Sequence, residues 1–309
     1  MHSRVGLRIL AGALAIGTAL SLTACGARSA DELNSGHGAR ISVGAHNSVE
    51  NRILAQIYGQ VLADRGYLVD YNEGVGDRAA SIAALQSGHI DLVAETSGDL
   101  LYAIDGTAFA RSRDDIEDAL PEEVEKLGLH VLRAAPADKA VAFVVTEDFA
   151  RSRQVASIGE LAYLADDITI GADSDFDEQR YGPGGLLSVY RVAGFDTREL
   201  SDDGGAATLG ALLTDSVQVA VIPAASPAIL RNNLRVLADP KSLITAQNIV
   251  PLVGNSAYSP DVEQIVDPVS DEITTEELRA LNERATASVP LSPESIAREW
   301  LVGKGLIRE

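Results

Sequence analysis

The stretch ISVGAHNSVENRILAQIYGQVLADRGYLVDY, residues 41–71, changes its apolar period twice. Ile41-Ser42-Val43 alternates as a short strand. Asn47 and Glu50 stand at capping-box spacing, and Val49, Ile53, Leu54, Ile57, Tyr58, Val61 and Leu62 then recur on one helical face. Gly66 ends that helix, and Tyr67 to Tyr71 returns to strand. The same order repeats downstream: a Gly74/Gly76 turn, a helix to Gln86, Gly88, and a strand from Ile90 to Ala94. Strands alternating with helices across short loops predict an α/β fold with a mostly parallel sheet.

A second unit of the same kind starts after a break. Val131–Leu132 and Val141–Val145 read as strands around RAAPADKA, and Ser157 with Glu160 caps a helix. Ile168–Ile170 is a strand, GPGG (182–185) precedes a helix ending near Val192, DDGG (202–205) precedes another, and Val217–Ile222 is again a strand. The pieces ALQSGHIDLVAE and ALLTDSVQVAVI share one layout, which favours two lobes of similar build. NIVPLV (248–253) reads as a strand, and helices capped at Thr274/Glu277 and Ser292/Pro293 finish the chain. Segments near 133–145 and 246–253 are placed to cross between lobes. The expected domains are therefore 41–135 with 250–309 as lobe I, and 136–249 as lobe II.

Upstream, Arg4 and Arg8 precede an apolar run from Ile9 to Leu22 that is short for a membrane span. Leu22-Thr23-Ala24-Cys25 resembles the bacterial lipobox, and Cys25 is the single cysteine of the chain. This predicts an exported protein cleaved after residue 24 and lipidated on Cys25. Residues 25–40, small and polar, read as a tether. The chain has 309 residues, with 45 acidic against 25 basic side chains and a net charge of −20, which argues against nucleic acid and against a polybasic grip on lipid. The expected location is the outer face of the cell membrane, held by acyl chains alone.

A search for chemistry returns little. His37, His46, His89 and His130 lack metal-ligand spacing, and there is no H-E-x-x-H, G-x-S-x-G or P-loop. No catalytic residue, metal or cofactor is expected. His46 sits in a strand-to-helix loop of the kind that lines ligand clefts in open α/β sheets. GPGG and DDGG either hold an anion on free backbone N–H groups or simply permit tight turns.

Six blocks in order resemble the substrate-binding lipoproteins of osmoprotectant (glycine betaine, choline, carnitine) ABC transporters. They are the opening stretch, AALQSGHIDLVAETSGDLL, DFDEQRYGPGGLLSVY, DDGGAATLGALL, SPAILRNNLRVLADPKSLITAQNIVPLV and TTEELRALNERA with AREWLVGKGLI. The resemblance implies a two-lobed type II periplasmic-binding fold with a hinge of two crossing strands, no enzymatic activity, and docking to an ABC permease and its ATPase. It further implies a cage of aromatic faces for a quaternary ammonium group. At the matching positions this chain carries Thr96, Ala140, Ile222 and Gln247, and the places of the family's carboxylate-binding cations fall near His46 and Gln179, with Arg180 one place away.

The expected ligand-binding set is His46, Ser48, Thr96, Ser97, Asp99, Ala140, Gln179, Arg180, Tyr181, Asp203, Ile222 and Gln247. The lobes are expected to close over 46–48, 95–99, 179–182, 203–206 and 222–226. Either Tyr102, Tyr181 or Phe143 rebuilds a cage, or the cleft holds a more polar solute read by Thr96, Ser97, Asp99, Gln179 and Gln247. Solute capture for an importer is the expected function. The alternative is a lipid-anchored sensor on the same fold.

Overall fold

A computed structural model describes residues 38–308 of the chain. The expected leader, Cys25 and the tether up to residue 37 lie outside the described residues. The first strand β1 (Arg40–Ala45) runs into helix α1 (Val49–Asp64), whose N-cap is Ser48. The Ser48 hydroxyl accepts the Asn51 N–H at 3.0 Å, so the cap lies one residue beyond the expected Asn47. The α1 stripe is buried from Ile53 on, with Ile53, Leu54, Ile57, Tyr58, Val61 and Leu62 all in the core, while Val49 in the first turn is exposed.

Next come β2 (Leu68–Glu73), α2 (Arg78–Gln86), β3 (Leu92–Thr96), α3 (Ser97–Ile104), α4 (Arg113–Glu125) and β4 (Leu129–Val131). After the first crossing the second sheet opens with β5 (Val141–Thr146) and α5 (Glu147–Arg153), then β6 (Thr169–Ala172) and α6 (Pro183–Gly185). It continues with β7 (Asp196–Glu199), α7 (Ala206–Leu213), β8 (Val219–Pro223), α8 (Ala228–Arg231) and β9 (Leu234–Val236). The chain then recrosses to β10 (Ile249–Gly254) and ends in α9 (Pro260–Glu272), α10 (Thr275–Ala285) and α11 (Pro293–Gly303).

Two expected helices differ. Ser157 and Glu160 open a 3₁₀ turn, Ile158–Tyr163, with the Glu160 carboxylate accepting the Ser157 N–H at 2.9 Å. Beyond GPGG the chain widens into a π-type turn over Leu186–Tyr190 and stops at Arg191, which is left-handed at φ 62°. The GPGG glycines serve close packing: a Cβ on Gly185 would overlap the Arg180 carbonyl.

The strand orders are β2-β1-β3-β10-β4 and β7-β6-β8-β5-β9. In each sheet the strand contributed by a crossing, β10 or β5, runs antiparallel to its neighbours, while the remaining pairs are parallel. The inner strands of each sheet are buried on both faces, while the edge strands β2 and β7 are largely exposed. For the first, one face packs on α1 and α9–α11 and the other on α2–α4. For the second, separate clusters cover the two faces. Burial on both faces is what parallel sheets require, and it explains the nearly continuous apolar runs in β3, β5 and β8.

The crossing segments pair antiparallel. Ala135 N–H donates to Ile249 O at 2.8 Å, Ile249 N–H to Ala137 O at 3.1 Å and Lys139 N–H to Gln247 O at 3.0 Å. Two side chains lock this short ladder. Buried Asn248 donates to Ala135 O at 3.0 Å, and Asp138 accepts the Ala140 and Gln247 N–H groups at 2.8 and 3.0 Å. The loop after β8 adds a tie to the first sheet's helices, with Arg279 Nε donating to Ala224 O at 2.6 Å.

Candidate functional site

The carboxyl ends of β1 and β3 and the loops after β6 frame a cleft over the crossing segments, as open α/β sheets place ligand sites. It has two chambers, of about 380 and 620 Å³, which share Asp99, Lys139 and Gln247.

The smaller chamber is organised around Glu95, only 4 % exposed. Its carboxylate accepts His46 Nε2 at 2.9 Å, Arg78 Nε at 3.0 Å and the Ser81 hydroxyl at 3.0 Å. The other imidazole nitrogen, Nδ1, faces Gly76 O at 2.8 Å. A neutral imidazole has one donor, and here both nitrogens face acceptors, so the ring is held as imidazolium. The hydrogen bond to Glu95 raises the His46 pKa above its ordinary 6.5, against the opposing pull of burial. Burial would raise Glu95, but the hydrogen bonds and charges of His46 and Arg78 outweigh it and hold the carboxyl below its ordinary 4.5. Arg78 also donates to the Thr96 hydroxyl at 2.8 Å and lies 3.7 Å from Asp99.

Asp99 and Gln247 clasp each other between the chambers. Asp99 N–H donates to Gln247 Oε1 at 2.9 Å, and Gln247 Nε2 returns to Asp99 Oδ1 at 2.6 Å. Gly98 allows this approach, since a Cβ there would overlap the Ala246 carbonyl. Lys139 lines both chambers and is held by Glu50 at 2.7 Å.

The larger chamber is different. Tyr102, Arg111, Gln179, Arg180 and Tyr181 line it. Arg111 follows α3 and Arg180 follows β6, so they come from the two sheets' units and line the same chamber. Among the described residues neither guanidinium has a hydrogen-bond or carboxylate partner. Burial and the Arg111 charge push Arg180 down from its ordinary value.

Eight of the expected ligand residues line the cleft: His46 and Thr96 the smaller chamber, Ala140, Gln179, Arg180 and Tyr181 the larger, Asp99 and Gln247 both. Four do not. The Ser48 hydroxyl is spent as the α1 cap. Ser97 is buried and its hydroxyl accepts the Asn248 N–H at 3.1 Å. Ile222 is packed in the second sheet's core, with Gly204 pressed on its backbone. Asp203 occupies a left-handed turn, its N–H donating to Asp173 at 3.2 Å. The DDGG turn is no open anion site, because Asp202 already accepts the Thr208 hydroxyl and N–H at 2.6 and 3.3 Å.

Of the aromatic candidates, Phe143 is fully buried against Phe176. Tyr102 and Tyr181 remain as ring faces on the larger chamber. Glu95, Arg78, Lys139 and Arg111 were not in the expected set. Arg78 begins α2 just after the Gly74/Gly76 turn, a position of the same kind as His46, and Lys139 lies in a crossing segment. Arg111 follows a loop that carries no motif.

Residues 39–302 match the family described as the substrate binding domain of ABC-type glycine betaine transport systems. The chain belongs to this family. A glycine-betaine-binding protein of Pseudomonas aeruginosa is 25% identical over 279 residues, covering 84% of this chain and 86% of its own. The crystal structure of a glycine betaine/carnitine/choline ABC transporter protein superposes with a TM-score of 0.79 at 18% identity, over 87% of this chain and 99% of its own. Apo YehZ from Escherichia coli gives 0.77 at 22% identity, over 86% and 99%. These likenesses fit the two sheets and the crossing segments of the type II periplasmic-binding fold. Family members are extracytoplasmic, take up a small solute and work with an ABC transporter. Among the described residues no helix is long and apolar enough to cross a membrane.

Proposed function

We propose that this chain is the lipid-anchored solute receptor of an ABC importer, tethered through Cys25, that captures a small polar solute by closing its two sheets' units over the crossing segments and delivers it to a permease and its ATPase. No enzymatic step is assigned to it. The observation that carries the reading of the solute is the lining of the cleft. Hydrogen-bonding side chains make up most of the smaller chamber's lining, the larger chamber mixes them with apolar ones, and Tyr102 and Tyr181 are the only residues of the Phe, Tyr and Trp kind among those lining the two chambers. A trimethylammonium group cannot donate hydrogen bonds and is held by ring faces, each worth ~0.5–2 kcal/mol. With two such faces, one of them on the 64 % exposed Tyr102, glycine betaine and choline are weak ligands. Of the polar residues expected to read it, Asp99, Gln179 and Gln247 line the larger chamber and are the ones favoured to engage the solute, while Thr96 is already bonded to Arg78.

A thermal-shift screen of small zwitterions, polyols and organic anions, run beside glycine betaine, choline and carnitine, tests this, since a ligand raises stability by RT ln(1 + [L]/Kd). The expected result is a micromolar ligand outside the three osmolytes. Micromolar binding of any of the three in calorimetric titration contradicts the polar-solute reading. For the anchor, Cys25→Ala is expected to abolish labelling by a fatty-acid analogue. Labelling that persists in the variant rejects Cys25 as the acylated residue.

A further inference from the structure

A further cavity, of about 640 Å³, lies on the far side of the crossing segments. Asp138 and Ala246 line it, whereas their chain neighbours Lys139 and Gln247 line the cleft. Asp138 bridges Asn248 in the antiparallel ladder, and successive side chains of extended backbone point to opposite faces. The ladder therefore stands between the two spaces. They adjoin where Arg111, Ala140, Val141 and Ile244 border both the cavity and the larger chamber. One part of the cavity wall is α10, through Thr275, Glu276 and Arg279. Another is the second sheet with α8, through the apolar side chains of Ala142, Ile229, Leu234 and Leu237.

Arg279 is the unusual member. It is 7 % exposed, yet among the described residues only its Nε has a hydrogen-bond acceptor, Ala224 O at 2.6 Å. Its carboxylate neighbour Glu276 is 3.5 Å from Nη1 and 73 % exposed, where water screens it. Burial pushes the guanidinium below its ordinary pKa, with the Glu276 charge opposing. A tie to one carbonyl needs a single neutral donor, so it does not account for a buried cation. The acidic groups of the cavity are turned to other tasks. Asp138 accepts the Ala140 and Gln247 N–H groups, and Asp239 accepts the Tyr190 hydroxyl and the Leu243 and Ile244 N–H groups. Arg113 is held by Glu117 and by Ala134 O. Arg279 is left as a buried cation beside an apolar wall.

We propose that this cavity is a second ligand site, distinct from the cleft, for a small amphiphilic carboxylate whose head group meets Arg279 and whose hydrocarbon body lies on Ile229, Leu234 and Leu237. The charge and the shape of the wall each select. A carboxylate accepts forked hydrogen bonds from the Nη donors and supplies the counter-charge that burial demands. A neutral apolar molecule covers the wall and leaves the guanidinium unmet. A bare anion does the reverse. A dianion such as phosphate also meets the Glu276, Asp138 and Asp239 carboxylates, which favours a single negative charge. The site does not depend on which solute the cleft takes.

The test uses the full chain with labelled Ile, Leu and Val methyl groups, titrated with sodium cyclohexanecarboxylate, cyclohexanemethanol and sodium acetate at constant ionic strength. Cyclohexanecarboxylate is expected to bind about tenfold or more tighter than the alcohol, the step that a charge-assisted hydrogen bond gives. It is expected to exceed acetate by at least as much, because acetate lacks the apolar body. Its ring protons are expected to give nuclear Overhauser contacts to the Ile229, Leu234 and Leu237 methyls, with the Tyr102 and Tyr181 amides unmoved. Contacts in the cleft instead, equal binding of the alcohol, or no binding of the carboxylate at millimolar concentration overturns the site. Two variants assign the head group. Arg279→Gln is expected to bring the ratio of carboxylate to alcohol binding to about one, and a ratio that survives overturns the role of Arg279. Arg279→Lys, which keeps the charge and loses the fork, is expected to lower the ratio severalfold while leaving it above one. Should Arg279→Gln fail to fold, Arg279→Lys decides, and an unchanged ratio there overturns the proposal.

Discussion

The two chambers of the cleft share a wall of Asp99, Lys139 and Gln247, yet they treat charge in opposite ways. In the smaller one the Glu95 carboxylate is met by two cations and two further donors, so its polar groups complete each other. In the larger one Arg111 and Arg180 both line the wall, and among the described residues neither guanidinium has a hydrogen-bond or carboxylate partner. A satisfied buried network rigidifies the carboxyl ends of β1 and β3. An unsatisfied pair stores an unmet requirement that a solute can fill. The comparison teaches that polarity in a cleft is no sign of ligand contact, and that the partnering of each group decides.

The largest effect is expected at the centre of the satisfied chamber. Glu95→Gln leaves His46 and Arg78 facing a neutral amide in a buried site, and should lower the unfolding free energy by about 2–4 kcal/mol; the lower bound allows for the partial exposure of Arg78. Urea denaturation measures it, and a loss below about 0.5 kcal/mol would erase the distinction between the chambers.

Next in size is Gly98→Ala, which forces α3 away from the Ala246 carbonyl at about 1–3 kcal/mol and breaks the Asp99–Gln247 clasp. Loss of protection of the Asp99 amide in hydrogen exchange reports it, and an unchanged exchange rate would show that the shared wall does not depend on this close approach.

The pH dependence is smaller and has two sides. Glu95 titrates below 4.5 in the folded chain, so its contribution is present above 4.5 and is lost as pH falls through the lowered value. His46 titrates above 6.5, so its contribution is complete below 6.5 and is lost as pH rises through the raised value. The pair therefore contributes most between about 4.5 and 6.5. Ring-proton NMR of His46 should place its midpoint above 6.5 in the wild type and lower in Glu95→Gln. A wild-type midpoint at or below 6.5 contradicts the imidazolium assignment.

The smallest effect belongs to the unsatisfied chamber. Arg111→Gln and Arg180→Gln should each leave stability within ~0.5 kcal/mol of the wild type, because neither removes a partnered group. A loss as large as that of Glu95→Gln would mean that the arginines are structural.

Much of the architecture was legible in the chain because it is written in local chemistry. The α1 stripe, the Gly66 and Gly88 ends, and the caps at Thr274 and Ser292 each act within one or two turns, and they appear where the residues place them. The GPGG glycines were left open between an anion site and a tight turn, and the turn is what the structure shows: carbonyls of Phe176 and Arg180, six and five residues back, lie against Gly182 and Gly185. The site was legible at strand ends, where His46, Thr96 and Asp99 do line the cleft. Ile222 sits at a strand end too, but its side chain turns into the core, and pleat direction depends on register with Ala142. Arg111 could not be found from sequence, because it joins the cleft wall from a loop that carries no motif.

The most direct measurement is an amide-resolved NMR titration of the full chain with glycine betaine, carnitine and phosphocholine in turn. The account predicts that the shifts cluster on Tyr102, Arg111, Arg180 and Tyr181 while the His46 ring keeps its position. Shifts centred on His46 and Glu95, with Arg111 and Arg180 unmoved, would contradict it.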